Sequence, residues 1–261
     1  MPEKFAKLVK IMERLRGDDG CPWDKEQTPE SLKPFLIEEA YEVLEALDEK
    51  DSAKLKEELG DLLYQILFHA QIAKEKGEFD INGILDASIE KMTRRHPHVF
   101  GDKKAKDSKE VLVHWEETKK KEKRNRKSVL DGVPKELPAL LRAHQLQSRA
   151  ARVGFDWKKI DQVFDKVEEE ISEFKEAYRN KERGRVEDEL GDIFFSLVNV
   201  ARFLEVNPED ALRSAIGRFT SRFSYIEEAA EAEGRSLSSL SIDEMEGLWN
   251  KAKMAEDKGK P

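Results

Sequence analysis

The chain has 261 residues, 38% hydrophobic and 39% charged, with a formal net charge of −8. That length suits one large domain or two ordinary ones, and the high charge requires a core that uses apolar residues sparingly, as amphipathic helical bundles do. The acidic balance argues against nucleic acid as a partner. The single cysteine, Cys21, rules out an intrachain disulfide or a CxxC metal knuckle. No run of about 20 apolar residues is available to cross a bilayer, and Met1 to Arg16 reads as an amphipathic charged helix with no apolar signal core. A protein of the reducing cytoplasm is the expectation.

Helical periodicity dominates from the start. Phe5, Leu8, Val9, Met12 and Leu15 follow the i, i+3, i+4, i+7 rule until Gly17 stops the helix, and a loop through Gly20, Cys21, Pro22 and Trp23 follows. A second helix is expected from about Pro34 to Asp48, and a third from an Asp51 or Ser52 cap to near Gly77. Asp80 caps a fourth that ends near His96, because Pro97 disfavours a helical residue before it. Ser108 caps a fifth carrying Trp115.

Asp131-Gly132, Pro134 and Pro138 mark a connector. The division expected is a first helical domain over 1–127, a linker over 128–138 and a second domain over 139–261. Helical signals resume at about 139–152, 160–180, 185–204, 208–232 and 242–256, the fourth opening on Asn207-Pro208. No alternating strand pattern stands out, so the class is all-α. Between Lys119 and Lys127 lie seven Lys or Arg. A solvated helix end entering the linker accounts for them better than a nucleic-acid contact.

The chain repeats itself at an offset of 131. Glu38-Glu39-x-x-Glu42 returns as Glu169-Glu170-x-x-Glu173, and Glu58-Leu59-Gly60-Asp61 as Glu189-Leu190-Gly191-Asp192. Glu45, Ala46 and Lys50 return as Glu176, Ala177 and Lys181. With 55 acidic residues in 261, one such pattern arises by accident. Two copies with equal gaps and matching flanks mark a duplication. Lys91 with Arg95 is echoed by Arg218 with Arg222, and Trp115-x-x-x-Lys119 by Trp249-x-x-x-Lys253.

On helices, Glu39 shares a face with Glu42, and Glu58 with Asp61. If the two helices pack antiparallel, four carboxylates converge, at a cost that a cation would offset. All-oxygen ligands favour Mg²⁺, or Mn²⁺, over zinc. A solvated acidic face is the alternative for either copy alone, and the duplication speaks against it. Glycine inside an acid-bearing helix suggests a close approach there. The cationic pair suits phosphate oxygens. Trp249 either stacks on a base or belongs to the core. HExxH, ExxH beside the acids, GxxxxGK[ST] and GxGxxG are all missing from the sequence.

These motifs, with Cys21-Pro22-Trp23-Asp24 and Arg94-Arg95-His96-Pro97-His98-Val99-Phe100, resemble the tandem-domain form of the MazG family of nucleotide pyrophosphohydrolases over nearly the whole chain. The resemblance implies four-helix-bundle cores completed by homodimerisation. It also implies Mg²⁺-dependent hydrolysis of nucleoside triphosphates, deoxynucleotides included, to monophosphate and pyrophosphate with broad base specificity. Glu170, Glu173, Glu189 and Asp192 would hold the metal, and Arg218, Arg222, Trp249 and Lys253 would contact substrate. Asn199 resembles a substrate-binding Asn of the family, while its first-half counterpart is Phe68. Glu39, Glu42, Glu58 and Asp61, with Lys91, Arg95, Trp115 and Lys119, form a second candidate site. Glu169, or Glu38 in the first half, is the candidate general base. The rival is a helical dimer that senses nucleotides or binds partner proteins without turnover; a narrower one is hydrolysis of pyrophosphate or diphosphates.

Overall fold

A computed structural model describes residues 2–107, 110–111 and 128–258, and among them there is no strand. The chain divides into two compact units, Met1–Arg124 and Asn125–Pro261. The expected helix from Ser108, with Trp115, Lys119 and the basic stretch to Lys127, lies almost wholly outside the described residues.

In the first unit α1 (Pro2–Arg16) leads to α2 (Pro22–Glu26), a short turn of helix in what the sequence marks as loop. Pro22 at its first position supplies the fixed φ that starts it. Then come α3 (Lys33–Glu49), α4 (Ser52–Glu75), α5 (Ile81–Arg95) and α6 (Pro97–Phe100). Asp51 accepts from the Ala53 and Lys54 amides and Asp80 from Gly83, so both expected caps form. The core gathers Met12, Leu32, Phe68 and Ile72, with Phe35 and Tyr64 packed on it.

The second unit runs through α7 (Ala139–Ala151), α8 (Ile160–Arg179), α9 (Arg183–Phe203), α10 (Pro208–Ala232) and α11 (Ile242–Lys258). Asn207 caps α10 by accepting from Glu209 and Asp210. Ser241 and Glu244 form a reciprocal cap at α11, the Ser241 amide donating to Glu244 at 2.7 Å and the Glu244 amide to Ser241 at 3.3 Å. Ile226, Ala230 and Leu240 make a core between α10 and α11, and Leu248 and Trp249 pack on it.

The duplication is visible in the backbone. Lys50 and Lys181 both stand at φ 57°, in the left-handed region. Lys50 N–H donates to Leu47 O and Asp51 N–H to Ala46 O; Lys181 N–H donates to Tyr178 O and Glu182 N–H to Ala177 O. Each is a Schellman corner that satisfies the last carbonyls of one helix and turns the chain into the next. Ala46 and Ala177, fully buried at the corners, leave room for that turn. The two acid-bearing helices of each half, α3 with α4 and α8 with α9, therefore pack side by side as hairpins.

Candidate active site

The hairpins bring the acids together. Glu39 from α3 meets Glu58 and Asp61 from α4, each offering a carboxylate oxygen within 4.8 Å of the others. Glu170 and Glu173 from α8 meet Glu189 from α9 in the same way. The triplets are not copies: Glu42 lies outside the first and Asp192 outside the second. Partial burial, then the charges of Asp61 and Glu42, pushes the Glu39 carboxyl above its ordinary range, while the Gln65 amide works against that rise. Glu58 is raised by burial and by Glu42, Glu57 and Asp61. Glu173 is raised by burial and by Glu189 and Glu170. Such crowding of like charges is what a hard divalent cation relieves, and a donor set made only of carboxylate oxygens fits Mg²⁺ or Mn²⁺.

The two halves hold their acids differently. In the second, Lys166 Nζ sits 2.9 Å from Glu169 and 2.8 Å from Glu170, and both carboxylates raise its pKa. The candidate base Glu169 and the buried ligand candidate Glu170 thus share one ammonium. The first half has Phe35 at the equivalent position, and Glu38 is exposed. Arg185 reaches Glu189 at 3.5 Å. Nothing among the described residues makes the close approach expected at Gly60 and Gly191, where a Cβ would meet no atom within 4 Å.

The expected substrate residues fall into four groups. Arg222 on α10 lies over the Trp249 ring on α11, 5.4 Å from its centre, and its Nη2 donates to Glu256 at 2.7 Å. Trp249 also lies 5.4 Å from Phe219 and packs on the α10–α11 core, so most of its surface serves packing. Arg218, Lys253 and Lys91 are exposed, and Arg95 is half-buried at the end of α5. Asn199, on α9, accepts from Arg202 at 3.0 Å and 2.7 Å. Phe68 is buried in the first core, with the Arg16 guanidinium over its ring. Trp115 and Lys119 are outside the described residues.

Several residues at these sites go beyond the motifs. Lys166 was legible only as an i, i+3 and i, i+4 partner of two glutamates. Gln65 and Gln147 are buried polar side chains; Gln147 donates to the Phe195 carbonyl at 2.8 Å, one turn before Asn199. Neither amide position carries a sequence signal. Among the described residues no helix is long and apolar enough to cross a membrane.

Comparison with known proteins fits this geometry. The family model for the MazG nucleotide pyrophosphohydrolase domain matches twice, over residues 27–100 and 159–225, each match spanning one acidic hairpin. The nucleoside triphosphate pyrophosphohydrolase/pyrophosphatase MazG of Thermotoga maritima is 49% identical over 250 residues, 95% of each chain. The nucleoside triphosphate pyrophosphohydrolase of Escherichia coli K12 is 44% identical over 258 residues, 97% of this chain and 98% of that one. A crystal structure of a mazG-related protein from Thermotoga maritima aligns with 44% of this chain and 98% of its own, at TM-score 0.39 and 35% identity. Two family domains in one chain, on two hairpins of the same design, place this protein in the MazG family of nucleotide pyrophosphohydrolases.

Proposed function

We propose that this chain hydrolyses nucleoside triphosphates, ribo and deoxy, to nucleoside monophosphate and pyrophosphate with broad base specificity, and that Mg²⁺, or Mn²⁺, is its metal. The observation that carries the reading is the pair of carboxylate triplets, Glu39–Glu58–Asp61 and Glu170–Glu173–Glu189, at matching places in two hairpins. The names of the full-length relatives point to the same reaction class.

Glu170, Glu173 and Glu189, joined by Asp192 one turn on, would hold the metal, as would Glu39, Glu42, Glu58 and Asp61 in the first half. When bound, the metal supplies charge neutralisation at the phosphate oxygens and lowers the pKa of water. Glu169 accepts the proton of the attacking water, which requires Lys166 to release it. Arg218, Arg222 and Lys253 neutralise phosphate charge, and Asn199 hydrogen-bonds the nucleotide. Turnover is assigned to the second half, because Phe68 at the Asn199 position is buried and cannot hydrogen-bond. The first half, with Glu38 as its candidate base and Lys91 and Arg95 as its described cations, is a metal-binding unit of lower or different activity. The two tandem domains are taken as 1–127 and 139–261.

Two such chains would pair. Phe194, Phe195 and Leu197 stand about half exposed on the acid helix α9 and leave apolar surface uncovered there. Such a surface suits helix-bundle pairing between copies.

The test is product analysis of ATP, dCTP and GTP with pure protein, with and without Mg²⁺. Metal-dependent monophosphate plus pyrophosphate, lost in Glu173→Gln, supports the proposal. Diphosphate plus phosphate would mean that another bond is cut. Nucleotide binding without product would favour a sensor.

A further inference from the structure

The Asn199 amide is held by an ion pair that lies outside the duplicated acidic motifs. Arg202, one turn further along α9, donates to Asn199 Oδ1 from Nε at 3.0 Å and from Nη2 at 2.7 Å. Its Nη1 donates to Asp156 Oδ2 at 3.0 Å, and its Nη2 also to Asp156 Oδ1. Asp156 sits in the turn between α7 and α8 and accepts the Trp157 amide at 2.9 Å. The Arg202 guanidinium also lies over the Phe203 ring, 4.9 Å from its centre. The Arg202 side chain is 13% exposed and that of Asp156 27%.

A guanidinium carries only donors, so the amide of Asn199 must turn its oxygen towards Arg202, whichever way the group is drawn. Its Nδ2 then points away from the cation and presents N–H donors in one fixed direction. The first half lacks the whole arrangement: Phe68 replaces Asn199, and Gln71 replaces Arg202 and donates to Glu75 at 2.9 Å.

We propose that Asp156 and Arg202 are positioning residues that lock Asn199 as a hydrogen-bond donor, so that the second half selects nucleotides offering an acceptor oxygen at that point. The proposal rests on Asn199 contacting the nucleotide, as put forward under Proposed function. Asp156 fixes Arg202 and Arg202 fixes Asn199; neither touches the reacting phosphorus.

The test is a double-mutant cycle in the full-length protein. Binding of the non-hydrolysable α,β-methylene ATP with Mg²⁺ is read by calorimetry, beside KM and kcat for ATP. Asp156→Ala and Asn199→Ala should each weaken binding and raise KM about tenfold, the weight of one well-made hydrogen bond, with kcat within about twofold. The double variant should be no worse than Asn199→Ala, because the pair acts through that side chain. Asp156→Glu should recover most of the loss. Asp156→Asn keeps the shape and loses the charge, so it replaces the alanine variant if that one does not fold. Independent, multiplying effects of the two alanine variants would overturn the proposal, as would a lowered Tm with unchanged binding for Asp156→Ala. If Asn199→Ala itself leaves binding intact, the substrate-contact reading fails and the positioning role with it. If Asn199→Ala weakens binding and Asp156→Asn does not, the positioning role alone fails.

Discussion

Replacing Lys50 by Gly removes a Cβ from a backbone held at φ 57° and ψ 28°, and Lys181→Gly does the same at φ 57° in the second half. An L-residue in that region costs roughly 1–2 kcal/mol. The greater freedom of glycine in the unfolded chain offsets roughly 0.5–1 kcal/mol of the relief. The net expectation is a gain of about 0.5–1 kcal/mol at each corner relative to alanine, a rise of roughly 2–5 °C in the Tm of a unit of this size. Alanine is the reference because it also loses the favourable lysine charge near the helix C-terminus while keeping the strain. Urea and thermal unfolding followed by far-UV circular dichroism would measure Lys50→Gly, Lys50→Ala and the matching pair at Lys181. The gains should add, since the two corners lie in different units. Glycine variants no more stable than alanine at both corners would refute the view that these turns store backbone strain.

Further outcomes follow from the acids, the caps and the glycines. In EDTA at neutral pH, Glu173→Gln should melt no lower than the parent, because the change relieves repulsion from Glu189 and Glu170. Mg²⁺ at a hundredfold its Kd adds about 2.7 kcal/mol to a protein that binds it only when folded. The parent should overtake the variant once Mg²⁺ is present; an equal rise for both would remove Glu173 from the metal site. Glu244 is held down to about 2 by Arg235 and by the Ser241 amide and hydroxyl. A depressed carboxyl contributes stability above its ordinary 4.5 and loses it as pH falls towards 2. Glu244→Gln should therefore flatten the acid limb of a Tm-against-pH curve in that window. Gly60→Ala and Gly191→Ala meet open space and should each stabilise a separate chain by about 1 kcal/mol, measured in urea at low protein concentration. A loss of stability there would mean that something outside the chain packs on the bare helix.

The helices were readable because each signal is local: the apolar period of α1, the caps Asp51, Asp80 and Asn207, and the proline that closes α5. The turn of helix at Pro22 was not, since five residues carry no period. The acids were readable as a duplicated pattern, but which three would meet was not. Membership of a triplet depends on side-chain reach across a hairpin, and it leaves out Glu42 in one half and Asp192 in the other. Trp249 has one identity whether it stacks on a base or fills a core, and only its packing on the α10–α11 core beneath Arg222 reveals that role. The hold of Asp156 on Arg202 spans 46 positions, beyond any helical spacing rule.

That separation also sets an order of events as the chain folds. The carboxylates of each triplet come from consecutive helices joined by a tight corner, so their meeting requires only a short loop to close, which is fast and costs little entropy. Like charges resist the last approach of the two helices. A divalent cation should therefore speed formation of each hairpin, a change in the folding arm of a chevron more than in the unfolding arm. The Asp156–Arg202 bridge, which needs the turn before α8 to return to the far end of α9, would close after it. A chain caught midway would then grip metal before it could orient a nucleotide.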